Sequence, residues 1–254
     1  MHQYFEFVWH RSIAELRGDF SRVFLGTFWW LAEPILYMLV FYVIFGVIFQ
    51  QRGENYASFL LTGLVFWKWF ASAINNSSTV IVRSMSLIYQ VYLPKWVFPC
   101  VAVLTSSFRF IIVFVVLIVF LLIVGQPVTI AWIIDLPLLL LVQLLLMLGI
   151  SMSLAAIVPF VPDLKFLIDN GMLLLFFISG IFFHFDSVPD SIRPYFDLNP
   201  IGVLIHNYRQ VLINGEYVDW GGLVPLALVT LFFLVLGSLL LIRLDRVYAK
   251  RAFL

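Results

Sequence analysis

Two cationic side chains, Lys68 and Arg109, lie inside long apolar stretches of the sequence. A charged group in lipid is costly, so an ionisable residue within a membrane span is a functional candidate by default. Neither cation has an acidic residue at a matching depth. For Arg109 this pattern favours a water-filled path that carries an anionic group. For Lys68 an alternative is equally strong, since its neighbours Trp67 and Trp69 are typical of a side chain that extends to the membrane surface.

Motifs for catalysis, nucleotide binding and metal binding do not occur in the sequence. It has no Gly-x-x-x-x-Gly-Lys-Ser/Thr loop to hold a nucleotide. Its four histidines lack metal-ligand spacing, and its one cysteine cannot form an intramolecular disulfide. Gly149-Ile150-Ser151 is only faintly similar to a nucleophile turn, and it lies in an apolar stretch without a paired histidine. We therefore expect a chain that is not an enzyme and holds no metal or cofactor.

Aromatic residues form a stripe at near-helical spacing from Trp30 to Phe49, with Tyr37, Phe41 and Phe45 between them. Such a stripe is more often a surface that faces lipid or packs against another helix. The functional interpretation is a sugar path, because aromatic rings offer flat apolar faces to the C–H faces of sugars. A polymer that slides needs such weak, repeated contacts. The candidate path residues are Trp30, Tyr37, Phe41, Phe45 and Arg109.

Membrane spans must position these residues. Of the 254 residues, 63% are hydrophobic and 11% are charged, whereas soluble domains are about 45–50% apolar and about 25% charged. A crossing takes about 20 apolar residues, and we expect six crossings in one all-α membrane domain over residues 1–254. A polar run, Asn75 to Ser78, interrupts the second span and suits its cytoplasmic end. The expected spans are Phe28–Phe49, Phe59–Val80, Val97–Val124, Ile133–Phe160, Phe166–Phe185 and Leu223–Ile242.

The distribution of Lys and Arg predicts the orientation. With both termini in the cytoplasm, ten of these residues lie inside and three outside, which follows the positive-inside rule. The inner residues are Arg11, Arg17, Arg22, Arg83, Lys95, Lys165, Arg243, Arg246, Lys250 and Arg251. The outer residues are Arg52, Arg193 and Arg209. The net charge of +1 implies no attraction to nucleic acid.

Residues 1–18 have helical periodicity with an aromatic face that includes Tyr4, Phe5 and Trp9. The segment is too polar to span and ends at Gly18-Asp19. We expect an amphipathic helix that lies in the membrane interface on the cytoplasmic side. The alternative is an ordinary amphipathic helix packed on the bundle.

The segment Arg83–Pro99 connects the second and third spans on the predicted cytoplasmic side. Its middle, Leu87–Leu93, is apolar and aromatic, which is unusual for a loop in water. An apolar patch of this kind indicates a contact with another protein. We therefore expect this loop to dock a partner.

The outer loop Asp186–Gly222 is too apolar for a solvated connection. Its prolines divide it into short pieces, and Asn199-Pro200 is a turn signal. We expect two short helices, roughly Ser191–Phe196 and Ile201–Ile213, that dip back into the membrane as a re-entrant segment. From spacing alone, a small cap that lies flat on the outer surface is nearly as good an interpretation.

Three groups of residues occur in order along this frame. The first is Glu15-Leu16-Arg17 through Ser21, with Leu25-Gly26, Trp29 and Pro34; the second is Leu87-Ile88, Pro94-Lys95 and Pro99; the third is Asn199-Pro200 with Arg209. Together they resemble the permease subunit of ABC-2 transporters that export polysaccharides of the O-antigen and teichoic-acid type. The resemblance covers nearly the whole chain. It departs at Gly18-Asp19-Phe20, where the family tends to have a more basic, tyrosine-containing stretch.

The resemblance implies a homodimer of this chain with two ABC ATPase subunits docked beneath it, which would hold ATP and Mg²⁺. The implied cargo is a lipid-linked glycan on undecaprenyl diphosphate, exported across a bacterial inner membrane. The related alternatives are a capsular polymer, a teichoic acid or a small hydrophobic drug. A third class, a membrane enzyme or proton-coupled carrier, is disfavoured because a carrier usually places acidic residues mid-membrane.

The resemblance also implies roles for single residues. The entrance gate for the diphosphate would be Arg22, Leu25 and Gly26, with Arg83, Lys95 or Arg109 as its charge partners. The ATPase contacts would be Trp9, Arg83, Leu87, Ile88, Tyr89 and Lys95. The re-entrant outer segment would include Asn199, Pro200 and Arg209.

Overall fold

The computed structural model of the chain is all-helical, with no β-strand among the residues that it describes. These are residues 2–22, 32, 35–37, 39–40, 43–44, 55–91, 93–183, 188–189, 191, 193, 196 and 198–251. The helices are α1 (His2–Arg22), α2 (Tyr56–Ser78), α3 (Val80–Arg83), α4 (Met85–Gln90), α5 (Val97–Val124), α6 (Ala131–Ile157), α7 (Leu164–Ile178), α8 (Pro200–Arg209) and α9 (Val224–Arg251). A π-helical turn, Gln210–Asn214, continues α8 directly.

Four of the described helices are long and apolar enough to cross a membrane, namely α2, α5, α6 and the Val224–Asp245 part of α9. They match the predicted second, third, fourth and sixth spans, and the all-α class is confirmed. The predicted first span, Phe28–Phe49, lies largely outside the described residues. The predicted fifth span, Phe166–Phe185, is shorter in the structure, because α7 ends at Ile178 after 15 residues. That length is about 22 Å, whereas the hydrocarbon core is about 30 Å thick.

Helices α6 and α9 touch through their backbones. A Cβ atom added at Gly149 would lie 2.6 Å from the backbone nitrogen of Leu234, and one at Gly237 would lie 2.8 Å from the Gly149 carbonyl oxygen. Ser153, one turn further along α6, donates from Oγ to the Gly149 carbonyl at 2.9 Å. Small residues four positions apart permit this close approach between membrane helices. The two helices therefore form one tightly packed unit.

Polar residues of α2 are paired across the bundle. Trp69 donates from Nε1 to Ser107 Oγ of α5 at 3.1 Å, and Ser77 donates from Oγ to Ser151 Oγ of α6 at 2.7 Å. In the most apolar 18-residue stretch of α2, 78% of the residues are buried inside the protein, a larger share than in the other three candidate spans. The polar run that interrupts this span therefore contacts other helices. Ser151 belongs to this set of hydrogen bonds between helices.

The N-terminal helix α1 packs along α5. Val8 is buried against Val97 and Val101, and Ser12 donates from Oγ to the Val8 carbonyl at 2.8 Å. Trp9 lies on the adjacent edge of the helix, half exposed, with its ring edge against Phe108. One edge of the predicted apolar face thus packs on the bundle, as the alternative interpretation stated, and the other edge remains outward.

Candidate functional site

A cationic cavity of about 420 Å³ lies between α1, the last turn of α2 with α3, and α5. Three arginines from three different elements line it: Arg11 from α1, Arg83 from α3 and Arg109 from the middle of α5. Its single acidic lining residue among the described residues is Glu15. The other lining residues are Ala14, Gly18, Asn76, Val80, Ser84, Ala102 and Thr105.

The charges in this cavity are held by local geometry. Arg11 Nε lies 3.4 Å from Glu15 Oε1, one helical turn away. Arg83 donates from Nη2 to the Asn76 carbonyl at 2.9 Å, which places its guanidinium over the end of α2. Thr105 Oγ1 is buried and has no hydrogen-bond partner among the described residues. Three guanidinium groups against one carboxylate make this cavity suited to an anion, and planar guanidinium forks match phosphate oxygens in particular.

A neighbouring groove of about 400 Å³ between α2 and α5 shares Arg109 with the cationic cavity. Lys68 lines this groove, and its Nζ atom lies 5.2 Å from the centroid of the Tyr37 ring. Lys68 sits in the middle of α2, about 15 Å from the nearer helix end at 1.5 Å per residue. Lys68 therefore lies well inside this candidate span, away from both of its ends. Lys68 and Arg109 therefore line one groove, and Lys68 also lies beside the Tyr37 ring.

The other predicted path and gate residues fall outside what the structure describes. For Arg22, at the end of α1, it describes only the backbone. Tyr37, the described member of the aromatic stripe, is exposed on this chain. The residues of the path and gate outside the described ranges are Trp30, Phe41, Phe45, Leu25 and Gly26.

The connection between α2 and α5, residues 79–96 and hereafter the 79–96 loop, divides its apolar side chains between two faces. Ile88 is only 8% exposed, inside an apolar cluster, whereas Val82 and Val91 are about half exposed. Leu87 packs against the same cluster and is partly buried, and of Tyr89 the structure describes the backbone alone. Among the described side chains of the loop, the exposed large apolar ones are therefore Val82 and Val91, and Ile88 is buried.

Two charged residues of the loop, Arg83 and Lys95, face different surroundings. Arg83 is exposed and lines the cationic cavity. Lys95 is 3% exposed, and its Nζ atom lies 3.6 Å from Asp245 Oδ1 of α9. The Lys95 ammonium therefore faces inward, away from any protein docked on the loop, and it does not line the cavity.

At the opposite end of the bundle, Asn199 fastens the start of α8 to the end of α7. Its Oδ1 accepts hydrogen bonds from the backbone nitrogens of Ile201 and Gly202, at 3.2 and 3.3 Å, as a helix N-cap. Its Nδ2 donates to Ser179 Oγ at 2.9 Å. Pro200 occupies the first helical position, where its missing N–H costs nothing. The Asn199-Pro200 pair therefore begins α8 and also connects it to the residue that follows the last turn of α7.

Arg209 fastens the other end of α8 to the same region. It donates from Nε to the Phe59 carbonyl at 3.1 Å, from Nη1 to Gly180 at 2.6 Å and from Nη2 to Ile181 at 2.9 Å. Its guanidinium carbon lies 3.3 Å from the centroid of the Phe59 ring. The carbonyls after the last turn of α7 have lost their helical donors, and Arg209 replaces them. The helix predicted over Ile201–Ile213 is present as α8 and the π-helical turn.

Sequence reasoning did not assign Arg11, Glu15 or Asp245 to a site. Arg11, Glu15 and Gly18 are spaced i, i+4 and i+7, so one face of α1 carries all three. That spacing could have indicated a shared polar surface. No such signal links Asp245 to Lys95, because 149 intervening residues separate them in the sequence.

Comparisons with known proteins agree on one family. The sequence model described as ABC-2 type transporter matches residues 6–213. A protein of Klebsiella pneumoniae described as an O-antigen export system permease protein is 28% identical over 209 residues, 81% of either chain. One of Myxococcus xanthus with the same description is 29% identical over 227 residues, 88% of this chain and 86% of the relative. A polysialic acid transport protein of Escherichia coli is 26% identical over 228 residues, 89% and 88% of the two chains.

Proposed function

This chain belongs to the ABC-2 type transporter family, and from that premise we propose that it is the permease subunit of an ATP-driven exporter of a lipid-linked polysaccharide. The proposed cargo is of O-antigen type, and the names of the similar proteins support that class of polysaccharide. Its proposed carrier is undecaprenyl diphosphate. The proposed assembly is a homodimer of one-domain chains with six spans and a re-entrant outer segment, in a bacterial inner membrane. Both termini and the 79–96 loop face the cytoplasm, where two ABC ATPase subunits bind and hydrolyse ATP.

The observation that carries this proposal is the cationic cavity. A diphosphate diester has two negative charges, and the cavity offers Arg11, Arg83 and Arg109 against Glu15. In the proposed orientation it lies at the cytoplasmic end of the spans, where a lipid-linked cargo must enter. Charge-assisted hydrogen bonds from guanidinium groups to phosphate oxygens are among the stronger polar contacts in proteins.

From this cavity the proposed route continues along the groove that shares Arg109. Lys68 lines that groove and its Nζ atom lies 5.2 Å from the centroid of the Tyr37 ring, so the charged head and the first sugars of the cargo would pass a cation that has an aromatic ring beside it. The remaining stripe residues, Trp30, Phe41 and Phe45, extend the proposed sugar path. Similarity to polysialic acid transport proteins supports a capsular polymer as the alternative cargo.

Replacement of the cavity arginines should weaken cargo uptake. We expect Arg11→Gln and Arg83→Gln each to raise the KM for the lipid-linked cargo about tenfold, since a hydrogen bond to a charged group contributes about 1.5–3 kcal/mol. The measurement is ATP-driven export by the complete transporter in proteoliposomes, with undecaprenyl diphosphate-linked and phospholipid-linked glycans compared. Arg17→Gln is the matched control, because Arg17 lies on α1 and does not line the cavity. An unchanged KM in both cavity variants would contradict the assignment.

Docking of the ATPase is proposed to use the exposed face of the 79–96 loop, with Arg83 and Trp9 at its border. A Val82→Asp/Val91→Asp double variant should co-purify at least about tenfold less ATPase subunit, because a carboxylate is costly in an apolar contact. Val128→Asp is the control, because Val128 lies in the connection between α5 and α6, at the other end of α5 from the loop, and is at least as exposed in the wild type. Ile88 is unsuitable for this test, since its burial would make the substitution a folding defect. Normal recovery of the ATPase with the double variant would move the docking site elsewhere.

A further inference from the structure

We propose that the partly buried ion pair between Lys95 and Asp245 couples the 79–96 loop to α9, so that movement of the loop is transmitted to the α6–α9 unit. This inference rests on the proposed docking of an ATPase on the loop and deepens it by naming the helices that the loop moves. Lys95 and Asp245 act as positioning residues, since neither is placed against cargo or nucleotide.

The ion pair joins the last residues of the loop to the end of the last span. Lys95 Nζ lies 3.6 Å from Asp245 Oδ1, and it also donates to the Leu93 carbonyl at 3.1 Å. The side chains are 3% and 21% exposed. A charge pair shielded from water in this way is attracted more strongly than a surface pair. It can therefore resist separation of the loop from α9.

Apolar contacts reinforce the same junction. Ile88 and Leu93 of the loop pack in one cluster with Leu241 of α9 and with Ala155 and Ala156 of α6. Leu241 lies one helical turn before Asp245, so the two residues share a face of α9. The loop is thus held to α9 by an apolar contact and an ionic contact on one helix face, and to α6 by the same cluster.

The two ends of the loop differ in stiffness. Towards α2 the helix is interrupted at Thr79 and again at Ser84, where the backbone leaves helical geometry with ψ of 5° and 10°. Such non-helical positions can absorb changes in backbone angles. Towards α9 the loop meets a unit whose helices are locked by the Gly149–Gly237 contact. A force applied to the loop would therefore change the angle between the loop and α2, while α6 and α9 would move together with the loop.

A charge swap tests this coupling in the complete transporter, reconstituted with its ATPase in proteoliposomes. The measured quantities are co-purified ATPase, the rate of ATP hydrolysis and the amount of lipid-linked glycan exported per ATP. In Lys95→Glu two acidic groups face each other, and we expect export per ATP to fall about tenfold while ATPase binding and hydrolysis stay within about twofold. The Lys95→Glu/Asp245→Lys double variant should restore export per ATP to within about threefold of the wild type.

Two further variants keep the result decisive. Lys95→Gln removes only the charge and should also lower export per ATP, which covers the case that Lys95→Glu fails to fold. The swap Lys165→Glu/Asp169→Lys reverses an exposed i,i+4 pair at the start of α7 and should leave the ratio unchanged.

An unchanged ratio in Lys95→Glu, or a swap that does not restore it, overturns the inference and leaves the proposed export function standing. Loss of the ATPase from the Lys95→Glu complex also overturns it, because the pair would then shape the docking surface. Failure of the docking proposal itself is seen separately, in the Val82→Asp/Val91→Asp variant.

Discussion

The Arg209→Met variant is expected to lose the packing of α8 against α2 and α7, and with it most of the folded protein. Methionine fills much of the space but donates no hydrogen bond, so the carbonyls of Phe59, Gly180 and Ile181 lose the donors that Arg209 supplies. The Phe59 carbonyl keeps its helical donor within α2, so the carbonyls of Gly180 and Ile181 are the two left unsatisfied. An unsatisfied buried polar group costs about 1–3 kcal/mol, which gives a loss of at least about 2 kcal/mol. The measurement is thermal unfolding of the purified chain in detergent, together with protease sensitivity near residues 180–200.

Two variants distinguish the hydrogen-bonding geometry of the Arg209 guanidinium group from its positive charge. Arg209→Lys keeps the cation, but its single ammonium cannot reach three carbonyls in the fixed geometry of a guanidinium, so we expect an intermediate loss. Arg243→Met removes an exposed cation from α9 and should unfold like the wild type. If Arg209→Met unfolds at the wild-type temperature, the hydrogen bonds from Arg209 to the carbonyls after α7 do not stabilise the protein.

The Gly149→Ala variant should separate α6 from α9. Its new methyl group would lie 2.6 Å from the backbone nitrogen of Leu234 and 2.7 Å from the carbonyl carbon of Phe233. Backbone atoms cannot move aside as a flexible side chain can, so the helices must shift apart along their contact. We expect a loss of about 2–3 kcal/mol, at the upper end of overpacking effects. The measurement is again the free energy or temperature of unfolding in detergent.

Gly171→Ala is the matched control for this prediction. Gly171 lies inside α7, and a Cβ atom there would meet no atom within 4 Å. Alanine is a better helix former than glycine by about 0.5–1 kcal/mol, so the control should be neutral or slightly stabilising. Equal unfolding of Gly149→Ala and Gly171→Ala would show that the α6–α9 contact can relax at little cost.

The sequence alone determined the elements that depend on local pattern. Long apolar runs predicted α2, α5, α6 and α9, because burial in lipid selects composition over about 20 residues whatever the neighbours are. The start of α8 was equally local. Asn199 caps its own helix and Pro200 begins it, and both effects act within three residues along the chain.

Hydropathy could not locate the end of α7. Apolar residues continue through Phe183, so the pattern extends the predicted span past Ile178. The helix can end there because Asn199 and Arg209, distant along the chain, donate to the carbonyls of Ile178 and Gly180, which a continued helix would have paired. The end of such a helix cannot be predicted from hydropathy, because it depends on where the Asn199 and Arg209 side chains lie in the tertiary structure.

The tertiary structure also decided which side of each amphipathic element packs against the bundle and which side is exposed. The apolar composition of the loop and the family resemblance assigned Ile88 and Lys95 to a contact with a partner, but both side chains face inward, towards Leu241 and Asp245 of α9. The cationic cavity arises in the same way, since α1, α3 and α5 each contribute one arginine. A sequence pattern defines the faces of one helix, whereas a site made by several helices depends on how those faces meet.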